Sequence, residues 1–197
     1  MANERERERE ILWTGIGGQG VQLAATILAR AATLEGLEVL SLGTYGGTMR
    51  GGNTDATVVI ARHVITSPPI VSRAWAAIVV HPRFFDPIRP KLRPDGLVVV
   101  NRELLEAPLD VATGRLIELD ATTLAREADA PNAAALVLLS AFATATGIVS
   151  QAALAEALAD SLPSYRSQFL ETNRRALAAG AGAVAARCVP AFAKEAA

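Results

Sequence analysis

Apolar and polar positions alternate along this chain in two periods. Ile11 to Thr14 is a short, β-compatible run and reads as a first strand. Trp13 to Val21 then carries four glycines within six positions, a turn signal. From Val21 to Leu34 the apolar residues Ala24, Ile27, Leu28, Ala31 and Leu34 keep the three-and-four spacing of one helix face, with Gly36 placed as a C-cap. Leu37 to Leu42 predicts a second strand. The β-branched run Thr54 to Ala61 predicts another, against which His63 to Thr66 could pair back. Ser67-Pro68-Pro69 stops regular structure. Ala76 to Val80, Leu97 to Val100 and Arg115 to Leu119 read as further strands. Proline-rich Pro82 to Leu92 allows only short helical turns, and Pro94-Asp95-Gly96 is a turn signal.

After Asp120 the period becomes helical. Thr122 to Ala128, Asn132 to Thr146, Ser150 to Leu162 and Ser164 to Ala179 predict four Ala-rich helices. Asp120 or Thr122 and Ser150 are candidate N-caps, Gly147 and Gly180 candidate C-caps, and Pro163 separates the last two helices. The order β–turn–α–β followed by strands and helices predicts an α/β fold. The expected architecture is an open doubly wound, mostly parallel sheet (Rossmann-like) with Ala-rich C-terminal helices.

Composition narrows the class. The chain has 197 residues, 51% of them apolar, enough for one globular core. Residues 1–10 read as a charged N-terminal tail, 11–187 as a single α/β domain and 188–197 as a C-terminal tail. Net charge is −1, which leaves no electrostatic footprint for nucleic acid. No apolar run approaches the about 20 residues of a membrane span. Cys188 is the only cysteine, so this chain offers no internal disulfide, no CxxC and no cluster-binding set. A cytoplasmic protein is the expectation.

The candidate chemistry lies in two glycine-rich stretches. A strand, a tight turn and a helix N-terminus at Trp13 to Val21 present unpaired N–H groups and the positive end of a helix dipole, a place for phosphate or carboxylate. Gly15, Gly17 and Gly20 satisfy G-x-G-x-x-G, yet the second strand ends Leu40-Ser41-Leu42-Gly43 without the acidic residue a dinucleotide ribose needs. No Lys-Ser/Thr pair follows the last glycine, so this is not a Walker loop. Gln19 lies inside the turn, where its amide can bond a ligand. Five glycines in the eleven residues Gly43 to Asn53 imply a specific backbone path around Met49-Arg50-Gly51-Gly52-Asn53. If the loops after strands one and two lie side by side, Arg50 stands near Gly17–Gly20 and completes an anion clamp.

These residues carry a resemblance. GIGGQGV at Gly15–Val21, TYGGTMRGGNTDATVVI at Thr44–Ile60 and TSPPIV at Thr66–Val71 resemble the gamma-subunit family of 2-oxoacid:ferredoxin (or other acceptor) oxidoreductases. Its gamma chains serve enzymes of pyruvate, ketoisovalerate, 2-oxoglutarate and phenylglyoxylate, with a related small subunit in indolepyruvate oxidoreductase. Pro94 to Asn101 and the N-x-x-A-L-x-x-G pattern at Asn173, Ala176, Leu177 and Gly180 extend the likeness to nearly the whole chain. Gly46-Gly47-Thr48 departs from it, standing where many 2-oxoglutarate-type members carry a proline and a glutamate.

The resemblance implies a subunit that is not catalytic alone. Its complex decarboxylates a 2-oxoacid oxidatively to an acyl-CoA. Thiamine diphosphate and magnesium sit on alpha and beta subunits, and electrons leave through the iron–sulfur clusters of another partner. The resemblance assigns this chain a coenzyme A-binding, capping role. Gly17, Gly18, Gln19 and Gly20 are then expected at the phosphates or the channel. Arg50 supplies charge, and Tyr45, Met49, Gly51, Gly52 and Asn53 shape the wall. Two rivals remain: a stand-alone dinucleotide-binding oxidoreductase, and a purely structural assembly subunit.

Elsewhere the residues predict no catalytic or metal site. His81 sits at a strand's carboxyl end and is read as hydrogen-bonded and structural, and His63 as a surface turn residue. Asp55 and Asp86 show no acid–base partner. Trp13 and Trp75 read as packing or interface anchors.

Overall fold

The computed structural model describes residues 8–45, 51–66, 68, 70–111 and 114–192. Six strands form one sheet: β1 (Arg9–Ile16), β2 (Glu38–Tyr45), β3 (Asn53–Ala61), β4 (Ala74–Val79), β5 (Leu92–Asn101) and β6 (Arg115–Leu119), in the spatial order β2-β3-β1-β4-β5-β6. β1, β4, β5 and β6 pair in parallel. β3 runs antiparallel to both β1 and β2, so five strands share one direction. The mostly parallel, Rossmann-like α/β sheet is as expected.

The strand order corrects one expectation. β1 and β2 are not neighbours, because β3 lies between them and runs the other way. What meets the carboxyl end of β1 is therefore the start of β3: Ile16 pairs with Asn53 and Gly15 with Thr54.

The helices are α1 (Val21–Leu34), α2 (Ala121–Glu127), α3 (Ala134–Thr146), α4 (Gln151–Ser161) and α5 (Leu170–Gly182). They pack on one face of the sheet, where Ile11, Trp13, Val58, Ile60, Ile78 and Val99 form a core with them. Of the expected α1 face, Ala24, Ile27, Leu28 and Ala31 are fully buried, whereas Leu34 at the last turn is 48% exposed. Trp75 is buried edge-on against Phe142 of α3, at 5.9 Å between ring centres. The opposite face has its own core of Leu12, Val79, Val98, Val100, Phe85 and Ile88. Irregular segments cover it, including 3-10 turns at Pro82–Phe84 and Arg89–Lys91.

Several local expectations change. Residues 62–66 form no strand, and Val64 is exposed. Pro94-Asp95-Gly96 does not end a strand but bulges from β5: Ala74 pairs with Leu92, and Ala76 next with Leu97. The segment Ser164 to Ala179 is not one helix, since Ser164–Phe169 is an exposed 3-10 stretch before α5 begins. Gly147 does cap α3 in the left-handed region, and Ser150 caps α4 by accepting from Ala153 N at 3.1 Å. Gly180 is not a cap. It lies inside α5, where a Cβ would overlap the Val137 carbonyl of α3, so it permits a close helix crossing. At α2 the caps come from afar: Asn101 Oδ1 accepts from Ala121 N at 3.1 Å and Glu103 Oε2 from Thr123 N at 2.8 Å.

The two segments read as tails meet at the end of the sheet away from the glycine turn. Arg9 and Glu10 belong to β1, and residues up to Phe192 dock on α3. Val189 N and Ala191 N donate to the carbonyls of Ala145 and Thr146 at 2.9 and 2.8 Å. Arg9 Nε donates to the Ala191 carbonyl, and its guanidinium lies 5.2 Å from the rings of both Trp75 and Phe192.

Candidate functional site

The glycine turn joins β1 to α1 at the carboxyl end of the sheet. Gly18 and Gly20 have φ of +103° and +79°, a left-handed conformation that side chains rarely adopt. The turn is closed from within. Gln19 N donates to Ile16 O at 3.1 Å, while Gln19 Oε1 accepts from Ile16 N at 2.9 Å. Gln19 was expected to reach a ligand, but its amide oxygen is held by its own turn. Gly17 N is likewise committed, to Gly52 O at 2.9 Å. Among the described residues, the N–H groups of Gly18, Gly20, Val21, Gln22 and Leu23 have no acceptor. Such donors, with no side chain capping the helix, are the kind of group that can bond an anion.

The second glycine stretch reaches this turn, though not through the side-by-side loops inferred from sequence. Antiparallel β3 carries Gly51, Gly52 and Asn53 back to β1, and the Gly17–Gly52 hydrogen bond joins the two stretches. Tyr45 ends β2 opposite Thr54. Met49 and Arg50 lie outside the described residues. Asn53 Nδ2 donates to Asp55 Oδ2 at 2.7 Å, while Asn53 Oδ1 and Asp55 Oδ1 are buried with no partner among the described residues.

Two contributors were missed in the sequence. Gln22, in the first turn of α1, donates to Asp55 O at 2.6 Å and reaches Thr44 O at 3.5 Å. It lies over Gly43, where a Cβ would collide with its amide. Gln22 thus ties the root of the β2–β3 hairpin to the glycine turn. A polar residue in the first turn of α1 was the only hint. The second is α3, whose first turn also arrives here: Ala135 Cβ lies 3.9 Å from the position a Gly20 Cβ would take. Its N-cap, Ala133, offers no side-chain bond. Nothing local in the sequence brings two distant helix starts together.

His81 flanks the site one residue past Val80, whose N–H donates to Thr14 O at 2.9 Å. Its Nδ1 accepts from Arg83 N at 3.2 Å, which puts the neutral ring's proton on Nε2. Burial, then Arg83, lowers its pKa against a smaller opposing pull from Glu106. Below it, on the face away from the helices, lies a cavity of about 680 Å³ between Phe85, Leu104, Leu105, Glu106 and Leu109. His63 sits in the irregular segment after β3. Asp86 pairs with Arg89 at 2.6 Å. Among the described residues no group of histidine, cysteine and carboxylate side chains is arranged to hold a metal ion, and no helix is long and apolar enough to cross a membrane.

The family described as pyruvate ferredoxin/flavodoxin oxidoreductase matches residues 10–183. The chain is 30% identical over 164 residues to the 2-oxoglutarate synthase subunit KorC of Methanocaldococcus jannaschii, covering 79% of this chain and 84% of that one. It is 32% identical over 174 residues to the pyruvate/ketoisovalerate oxidoreductases common subunit gamma of Pyrococcus furiosus, covering 85% and 92%. A solved structure of 2-oxoglutarate:ferredoxin oxidoreductase from Magnetococcus marinus, with 2-oxoglutarate, coenzyme A and succinyl-CoA bound, is similar at a TM-score of 0.81. At 19% identity, over 94% of this chain and 32% of that longer one, that likeness concerns the fold.

Proposed function

We propose that this chain, which belongs to the pyruvate ferredoxin/flavodoxin oxidoreductase family as a gamma subunit of a 2-oxoacid:ferredoxin oxidoreductase, contributes the coenzyme A-binding, capping domain of that complex. The observation that carries this reading is the set of N–H groups of Gly18, Gly20, Val21, Gln22 and Leu23 without an acceptor among the described residues, at the uncapped start of α1. Coenzyme A brings a diphosphate, which such a turn holds through backbone donors and the helix dipole.

Gly18 and Gly20 present N–H groups to the phosphates. Gly17 and Gln19 hold the turn in shape, Gly51 and Gly52 fix its neighbour, and Asn53 stands at the wall. Tyr45, Met49 and Arg50 complete the site as the sequence resemblance assigns them, with Arg50 adding positive charge. Thiamine diphosphate, magnesium and the iron–sulfur clusters belong to alpha, beta and cluster-bearing partners. We read the assembly as cytoplasmic, in keeping with a chain whose single cysteine leaves no internal disulfide. The oxoacid is chosen elsewhere in the complex, which accords with nearly equal identity to gamma-type chains named for 2-oxoglutarate and for pyruvate or ketoisovalerate.

The test is steady-state kinetics of the assembled complex. Gly20→Ala strains a left-handed position, and Arg50→Ala removes a cation. Each is expected to raise the apparent KM for coenzyme A by about tenfold, equivalent to roughly 1.4 kcal/mol, with little change in the KM for the oxoacid. Unchanged KM and rate in both variants would overturn the phosphate role. They would favour a purely structural subunit.

A further inference from the structure

The two edges of the sheet are built differently. At one edge β6 has five residues and carries exposed Arg115 and Glu118. A short, charged strand of this kind discourages further pairing. At the other edge β2 runs for eight residues, in unbroken register with β3 and without a bulge. It holds no proline and no lysine, and Glu38 at its start is its only charged residue. Among the described residues no strand pairs with its outer side, so alternate residues present N–H and carbonyl groups there. The side chains of β2 divide by face. Val39 packs on the helix-side core, and Ser41 and Gly43 share its side. Leu40 and Leu42 therefore lie on the opposite face, where Leu42 is 46% exposed. The core of that face is built on β1, β4 and β5 and includes neither leucine.

This strand complements a second copy of itself. Antiparallel pairing centred on Ser41 sets Leu40 opposite Leu42, Val39 opposite Gly43 and Glu38 opposite Thr44. The leucines of the two copies then form one cluster on the open face, and each carboxylate meets a hydroxyl. The two Glu38 side chains stand six residues apart along the pair, about 20 Å, so like charges never meet. Neighbouring registers lose this match. Centring on Leu40 sets Glu38 against Leu42, and centring on Leu42 sets Leu40 against Thr44. We propose that β2 pairs antiparallel with β2 of a second copy of this chain, about a twofold axis at Ser41, so that one sheet runs through both copies. The contact is isologous, since the same strand serves on both sides. It is independent of where coenzyme A binds.

Disulfide trapping in the full chain tests the register. Cys188, the only cysteine and an exposed one, is first replaced by serine. Ser41→Cys then brings two thiols to the twofold axis, where opposite Cα atoms are about 4.5 or 5.5 Å apart, within reach of a disulfide. Mild oxidation is expected to link most chains as dimers. Glu38→Cys, about 20 Å from its copy, should remain unlinked under the same conditions. Sedimentation velocity reads the equilibrium. The wild-type chain is expected to sediment as a dimer, and Leu42→Lys, which adds a charge twice per dimer, should raise its dissociation constant about a hundredfold. Leu42→Ile should keep the dimer. A monomeric wild-type chain, or Ser41→Cys chains that do not link, overturns the proposal. Linkage through Glu38→Cys as efficient as through Ser41→Cys overturns it as well, because the strands would then not meet at Ser41. In the assembled complex the Ser41→Cys link should form with every subunit retained. Release of a partner subunit on linking would assign the edge to that subunit and overturn pairing between copies.

Discussion

Gln19 shows how the glycine turn spends its polar groups. Its side chain closes the turn on Ile16 N, which lets Gly18 and Gly20 face outward without local competitors. Gln19→Ala would leave that N–H without its partner in a half-buried place. A loss of about 1 kcal/mol is expected, read as a lower urea midpoint of the chain. Gln19→Glu keeps the acceptor and should retain most of the stability. The glycines themselves were legible in the sequence, because a strand, a Gly-rich turn and a helix follow one another directly along the chain. The part Gln19 plays in closing the turn was not legible there. An amide in a Gly-rich turn can point out or in, and the Ile16 bond shows that the oxygen points in. Gln22 was invisible for a related reason: its partners, Asp55 O and Thr44 O, sit on strands far along the chain.

Among the elements, α1 was read to the residue from its apolar period, since helical periodicity is local. Strand order is not local, and there the reading went astray. β3 was recognised as a strand, but its insertion between β1 and β2 was not. The proximity of Gly52 to Gly17 was anticipated on a wrong geometric ground, since antiparallel return and not parallel adjacency produces it. Gly180 was misplaced because a glycine near a helix end resembles a cap. Its neighbour, the Val137 carbonyl, belongs to another helix. Gly180→Ala should therefore force α5 away from α3 and cost about 2 kcal/mol or more, which thermal denaturation would detect. A Gly180→Ala chain as stable as wild type would show that the two helices do not cross so closely. Gly182, which has open space around it, is the control: alanine there should be neutral or mildly stabilising.

For the whole molecule, the two faces of the sheet divide the work. Helices build the larger core and bring two N-termini to the glycine turn. Irregular segments cover the other face and leave a cavity at the same edge. The sequence announced the single α/β sheet but not this division, since helix placement depends on which strand faces each apolar stripe meets. Far from the site, Phe192 lies between Arg9 at 5.2 Å and Arg62 at 4.8 Å. Phe192→Ala should lower the midpoint of thermal unfolding by a few degrees, consistent with about 1 kcal/mol in a domain of this size, and leave the KM for coenzyme A unchanged. A shift in that KM would mean the two ends of the sheet are coupled.

The meeting of Arg9 with Ala191 and Phe192 makes this domain portable. A unit whose first strand touches the segment around Phe192 can be spliced into a longer polypeptide through one short stretch of surface, with both joints on the side away from the glycine turn. The same architecture accounts for about a third of the Magnetococcus marinus chain. A sheet closed on its own ends in this way suits a separate chain and a built-in module equally.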